Sequence, residues 1–213
     1  MRAHWLGVLV VVTASHAAAH AEAEHYENVR LDAGITGSTV GISDRNGSGM
    51  TVEIKGMAHD NVAIGGRVEV AVMFGGIVGA DEAPLDVSIA ASGLLKAEYL
   101  FGNAMIRPFL GFGAGGYTIG SQTIAAGPNR DGIDVRTGRY FGVAPQIGID
   151  IGRVRLGATY NAILGAYLEL HQTIGNVEQT QRLSQNYLSL ELSFQFAGGR
   201  KPMPPQRIDT RGE

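Results

Sequence analysis

Hydrophobic and polar residues alternate with a period of two along most of this chain, most regularly from Asn186 to Phe196. Leu188, Leu190, Leu192, Phe194 and Phe196 fall on one face of that stretch. Tyr187, Ser189, Glu191, Ser193 and Gln195 fall on the other. Side chains point to opposite sides in turn along an extended backbone, so the pattern predicts a strand with one apolar and one polar face. The same period predicts strands over Val29 to Ile42, Met50 to Met57, Val62 to Phe74, Asp86 to Phe101, Met105 to Ile124, Arg139 to Ile151 and Val154 to Leu170. Pro145 lies inside one of them and predicts a bulge there, because proline brings no N–H to a ladder.

The turn residues sort the connections into two kinds. Breaks near His59, Gly102 and Gly152 are tight. Ser43 to Gly49, Gly75 to Leu85, Ala125 to Gly138 and His171 to Gln185 read as longer loops, rich in Gly, Asp, Asn and Gln. The longer loops follow the first, third, fifth and seventh strands. In an up-and-down antiparallel sheet they would gather at one end, with both termini and every tight turn at the other. About eight strands, an even number, with that asymmetry form the pattern of an outer-membrane barrel.

Alternation alone leaves the sense of the faces open. A secreted lipocalin-like carrier would hold its apolar face inside, and a membrane barrel reverses it. Four features favour the membrane. The polar face mixes both charge signs, with Arg67, Glu69, Lys96, Glu98, Arg107, Asp150, Arg155 and Glu191 placed to pair across a narrow lumen, and it intersperses glycine, at Gly65, Gly111, Gly113, Gly115, Gly148 and Gly157, to leave those side chains room. The apolar face carries almost no charge, as contact with hydrocarbon demands. Phe74, Tyr99, Phe101, Tyr140, Phe141, Phe194 and Phe196 lie near strand ends, where interfacial aromatics belong. Most strands also reach the ~9–11 residues needed to cross a bilayer, Met50 to Met57 being the short case. Eight strands enclose an interior just wide enough for side chains to fill, so the expectation is a filled cylinder rather than a pore.

Composition narrows the picture further. The chain has 213 residues, a net charge of −3 and no cysteine. Disulfides, thiolate metal sites and a lipid-bearing cysteine are therefore excluded. Charged residues make up 17%, below the ~25% of soluble domains. Near-neutral charge gives no support for nucleic-acid binding. Arg2, the apolar run Trp5 to Val12 and the small residues up to Ala21 read as a cleaved signal peptide over 1–21. The barrel is expected over 22–196. Residues 197–213, broken by Pro and Gly, read as a flexible periplasmic tail.

Two segments resemble a known family. I-R-P-F-L-G-F-G-A-G-G-Y (Ile106 to Tyr117) is similar to the fifth-strand signature of small OmpA-like outer-membrane β-barrel proteins. Y-F-G-V-A-P-Q-I-G-I-D-I-G-R-V-R-L-G-A-T-Y (Tyr140 to Tyr160) resembles a hairpin of the same group. The last strand is similar to the C-terminal signal read by the barrel-assembly machinery, with Phe196 as its aromatic. The resemblance spans residues 28 to 196. It implies an all-β, eight-stranded antiparallel up-and-down transmembrane barrel in the bacterial outer membrane. Its expected partners are outer-membrane lipids, lipopolysaccharide and, during insertion, the assembly machinery, with the barrel a monomer.

Chemistry-bearing residues are sparse. His171 lies in a long loop with Glu169, Glu178 and Ser184 nearby in sequence, and a lipid A-modifying enzyme would be centred there. The loop acids Asp44, Asp81, Glu82, Asp131 and Asp134 could bind a divalent cation or lipopolysaccharide-associated ions, with solvated loop charge the stronger reading. G-F-G-A-G-G (Gly111 to Gly116) sits inside a strand with no helix after it, so it is no phosphate loop. No catalytic, cofactor or metal site is expected. The function expected is structural or surface-interacting and not enzymatic, with an adhesin acting through Ala125 to Gly138 and His171 to Gln185 as the alternative.

Overall fold

The computed structural model describes residues 26–40, 45–76, 85–102, 104–124, 133–174, 177–199 and 201. The expected signal peptide over 1–21, the loop acids Asp44, Asp81, Glu82 and Asp131, and the tail beyond Lys201 lie outside the described residues.

Ten strands follow in order: β1 Val29–Val40, β2 Arg45–His59, β3 Val62–Gly76, β4 Leu85–Leu100, β5 Ile106–Ile124, β6 Ile133–Ile151, β7 Val154–Leu164, β8 Tyr167–Ile174, β9 Val177–Ser184 and β10 Tyr187–Ala197. Eight of them close a barrel in the ring order β1-β10-β7-β6-β5-β4-β3-β2, and β8 and β9 form a separate two-stranded sheet. The first and last barrel strands meet antiparallel, from Asp32↔Gln195 to Thr39↔Leu188. Closure gives every barrel strand two neighbours over most of its length, which removes the open sheet edges that lipid does not tolerate.

Residues read as loop extend several strands. β2 begins at Arg45, because Asn46 and Gly47 lie between β1 and β3 and pair with both. Turn-forming residues are held extended there by two flanking ladders, so local preference gives way to tertiary pairing. β6 likewise begins at Ile133, paired with β5 from Ile124↔Ile133 onward. His171 to Gln185, expected as loop, is largely the β8–β9 hairpin, and β7 stops at Leu164 instead of running to Leu170. Ile174 and Val177 are separated by Gly-Asn, a two-residue hairpin signal that the polar composition had masked. Pro145 makes no bulge. The β6–β7 ladder omits rungs at Ala144 and Pro145 and resumes in the same register at Gln146↔Thr159, while β5 still pairs with Pro145.

One end of the barrel is tied by backbone hydrogen bonds between tight turns and terminal segments. Glu27 N–H donates to the Gly199 carbonyl at 2.9 Å, Gly152 N–H to Met105 at 2.9 Å and Gln195 N–H to Arg153 at 2.8 Å. Gly152 takes φ +60°, a conformation that suits glycine in a two-residue turn. β8 and β9 follow β7 at the opposite end.

Candidate functional site: the interior ion-pair network

The alternation sorts side chains sharply between outside and inside. Leu190, Ile147 and Phe196 are 59%, 59% and 63% exposed, whereas Arg155 and Glu69 are fully buried. Apolar side chains of β1 to β7 and β10 thus form the outer surface, and the charged ones point to the axis. Among the described residues, the buried cations are Arg30, Arg45, Lys55, Arg67, Lys96, Arg107 and Arg155. The buried acids are Asp32, Glu53, Asp60, Glu69, Glu98, Asp150 and Glu191. Among these described residues seven cations stand against seven acids, so their formal charges balance.

Eleven of these groups form one connected network. Arg155 on β7 grips Glu98 on β4 with both guanidinium arms, at 2.7 and 2.9 Å, donates through Nε to Asp150 on β6 at 2.8 Å, and reaches Glu53 on β2 at 3.2 Å. Its guanidinium also sits 4.0 Å over the Phe109 ring. Lys55 ties Asp32 at 2.8 Å, Glu53 at 2.7 Å and Glu98 at 3.1 Å. Lys96 bridges Glu98, at 2.6 Å, and Glu53. Arg67 on β3 binds Glu69 at 2.7 Å, Glu191 on β10 at 2.7 Å and Glu53 at 3.1 Å. Arg30 joins Asp32 at 2.8 Å and also Asp150. Hydroxyls take up carboxylate lone pairs left over: Ser189 donates to Glu69 at 2.8 Å and Ser193 to Glu191 at 2.7 Å. Charge-assisted, partly bidentate bonds of this kind compensate the desolvation of buried ions.

Seven of the eight interior residues read from the sequence fall in this network: Arg67, Glu69, Lys96, Glu98, Asp150, Arg155 and Glu191. Arg107 is buried but stands apart. It stacks on Tyr26, 4.2 Å from the ring centroid, and donates to the backbone carbonyls of Gly102, at 2.9 Å, and Asp60. It belongs to the turn end, where Tyr26, Met57, Ala63, Leu100 and Phe109 form a small apolar cluster. Four network members were not singled out: Arg30, Asp32, Glu53 and Lys55. Glu53 is the most shared of all, touching Lys55, Arg67, Lys96 and Arg155. The signal for them was present, because β1 to β4 each carry a base and an acid two residues apart: Arg30/Asp32, Glu53/Lys55, Arg67/Glu69 and Lys96/Glu98. Two residues along a strand return to the same face, so each pair points inward together.

Toward the loop end the filling changes. Val40, Met73, Leu94, Ile119, Ile163, Tyr117 and Tyr187 pack as an apolar cluster, and the Tyr117 hydroxyl donates to Asn161 Oδ1 at 2.9 Å. Tyr140, expected in the outer aromatic girdle, packs against this cluster from the inner face. It precedes Phe141, which points outward, and one residue is the whole difference between faces. Tyr99 and Phe101 pack edge-on outside at 4.9 Å, and Phe194 and Phe196 at 5.6 Å, all near the turn end.

His171 pairs with Thr180 in the β8–β9 ladder, and Ser184 pairs with Tyr167. At ~3.3 Å per residue, His171 and Ser184 sit about 13 Å apart along the ribbon. Their register does not bring a base and a nucleophile together.

Closed, antiparallel and up-and-down, with ions within and hydrocarbon side chains without, these eight strands can be solvated on their outer face only by an apolar medium. A closed, eight-stranded, up-and-down barrel with an apolar outer face is the architecture of a transmembrane β-barrel. No protein-family model matches the chain, and neither does any curated protein. Solved structures that match include the outer membrane protein OprG from Pseudomonas aeruginosa, at 11% identity over 81% of this chain and 97% of that one, TM-score 0.47. They also include Ail, the attachment invasion locus protein of Yersinia pestis, at 11% over 83% and 98%, TM-score 0.44. A third is Neisserial surface protein A, at 14% over 80% and 95%, TM-score 0.42. At such identities and scores these likenesses add nothing to the strand order and register, on which the fold rests.

Proposed function

We propose that the protein is an integral barrel of the bacterial outer membrane, with a structural or surface-facing role and a lumen closed to solutes. The observation that carries this reading is the grip of Arg155 on Glu98 and Glu53, which joins β7 to β4 and β2 across the axis. Arg67 adds a second crossing, from β3 to Glu191 on β10. A path for ions would have to break these pairs, and removing one partner of a buried pair costs about 3–5 kcal/mol. The outward apolar band supports lipid and lipopolysaccharide as the barrel's surroundings. The ion pairs of the interior network all close within one chain, which supports the barrel as a monomer. Its role is not enzymatic, in keeping with the separation of His171 from Ser184 along the hairpin.

The test is conductance of the purified, refolded protein in a planar bilayer. A quiet baseline is expected across the physiological voltage range. Reproducible single-channel steps in the unaltered protein would overturn the closed lumen.

A further inference from the structure

β6 is taller than the strand beside it. Residues 133–140 pair with β5, from Ile124↔Ile133 to Tyr117↔Tyr140. On the other side β7 reaches only Leu164, opposite Phe141. The chain then turns at Gly165, with φ +75°, and continues as β8, which pairs with β9 in its own two-stranded sheet. Among the described residues, one edge of β6 over 133–140 therefore pairs with no barrel strand. An open strand edge is a template for another strand. A lone two-stranded ribbon, in turn, is marginally stable in water.

The register says which strand fits. β6 and β7 pair in constant register from Ile151↔Val154 up to Phe141↔Leu164. Continued without a shift, it sets Gly138 opposite Tyr167, Thr137 opposite Leu168, Arg136 opposite Glu169, Val135 opposite Leu170 and Asp134 opposite His171. In this register the sequence sets residues of opposite charge at 136 and 169, an acid and a histidine at 134 and 171, and two apolar residues at 135 and 170. A slip of one residue would set Arg136 against Leu168 or Leu170 and lose every one of these matches.

We infer that β8 docks on the open edge of β6 in the register Arg136↔Glu169, making β7 and β8 one strand and completing the barrel wall at its loop end. The separate hairpin is the undocked state. Gly165 is the hinge, since glycine alone takes the left-handed turn without strain and is equally at ease extended. The two legs move together, because Ile163 N–H donates to Asn186 Oδ1 at 2.8 Å and Gln185 N–H to the Ala166 carbonyl at 3.0 Å, one on each side of the hinge. Docking would cover the interior cluster around Tyr117 and Tyr187 from the loop side.

The chain has no cysteine, so introduced pairs report cleanly. Three double variants of the full chain are refolded into vesicles, and heat-modifiable mobility identifies the folded fraction: Arg136→Cys with Glu169→Cys, Val135→Cys with Leu170→Cys, and, four residues off register, Arg136→Cys with Thr173→Cys. Mild oxidation should give intramolecular disulfides in the first two, since directly opposed residues meet the Cα separation a disulfide needs, and none in the third. Adding Gly165→Ala to the first pair should raise its yield, because alanine disfavours the left-handed turn of the undocked state. A cysteine-free check is hydrogen exchange. Amides of 133–140 that point away from β5 should exchange slowly in the unaltered protein, and fast once 167–184 are replaced by a short Gly-Ser link. Equal yields in and out of register, disulfides only between two chains, or fast exchange at those amides in the unaltered protein would each overturn the docking.

Discussion

The interior of this barrel is filled in two ways. The middle is ionic: Glu53, Glu98, Lys55, Lys96, Arg67 and Arg155 interlock, and each cation there touches two or more acids. Toward the loop end an apolar cluster takes over: Leu94, Ile119, Ile163 and two tyrosines pack together, with Tyr117 bonded to Asn161 and the buried Arg45 bonded to Ser88. The two solutions respond differently to damage. An apolar cluster loses what the deleted atoms contributed. An ionic one loses that and also leaves a charge buried without its partner, so it is far less tolerant of single changes. Direction matters too. Ion pairs reach across from wall to wall and select one arrangement of strands, whereas apolar side chains only need volume.

The contrast is broken most sharply at Glu53. Glu53→Ala strips one carboxylate from four cations at once, and it should lower stability against urea unfolding in vesicles by about 3–5 kcal/mol, the cost of opening a buried pair. A loss under 1 kcal/mol would mean that the network is already hydrated and holds little. Gly148 probes the border of the ionic region. A Cβ there would stand 2.3 Å from the Leu156 carbonyl and 2.5 Å from the Phe109 ring that supports Arg155. Gly148→Ala should therefore cost roughly 1–3 kcal/mol by overpacking, read in the same titration. In the apolar cluster, Tyr117→Phe removes one hydrogen bond and no charge. A loss of only about 0.5–1.5 kcal/mol is expected, and a loss equal to that of Glu53→Ala would erase the distinction between the two regions.

Much of this was legible in the sequence, for a simple reason. A period of two is a direct record of which side each residue faces, so β3, β4, β5 and β10, along with Arg67, Glu69, Lys96, Glu98 and Glu191, could be placed from alternation alone. What escaped depended on pairing. Asn46 and Gly47 look like turn residues until strands on both sides hold them. With β2 read as short and weak, Glu53 and Lys55 were left out of the interior set, although Glu53 is its centre. Tyr140 was misplaced because the expected strand began one residue before it, and at a strand end there is little pattern from which to count faces. Arg107 faces inward as expected, but its partners are an N-terminal tyrosine ring and two turn carbonyls, none of which alternation can foresee.

The central claim is the sense of the barrel, with aliphatic side chains toward acyl chains and ions toward the axis. It is tested most directly with a single reporter tryptophan at Leu190, in a chain whose only native tryptophan, Trp5, has been replaced by phenylalanine. In vesicles containing brominated lipid, the fluorescence of folded Leu190→Trp should be strongly quenched, and aqueous iodide should leave it bright. Strong iodide quenching with no effect of bromine would put Leu190 in water and contradict the account.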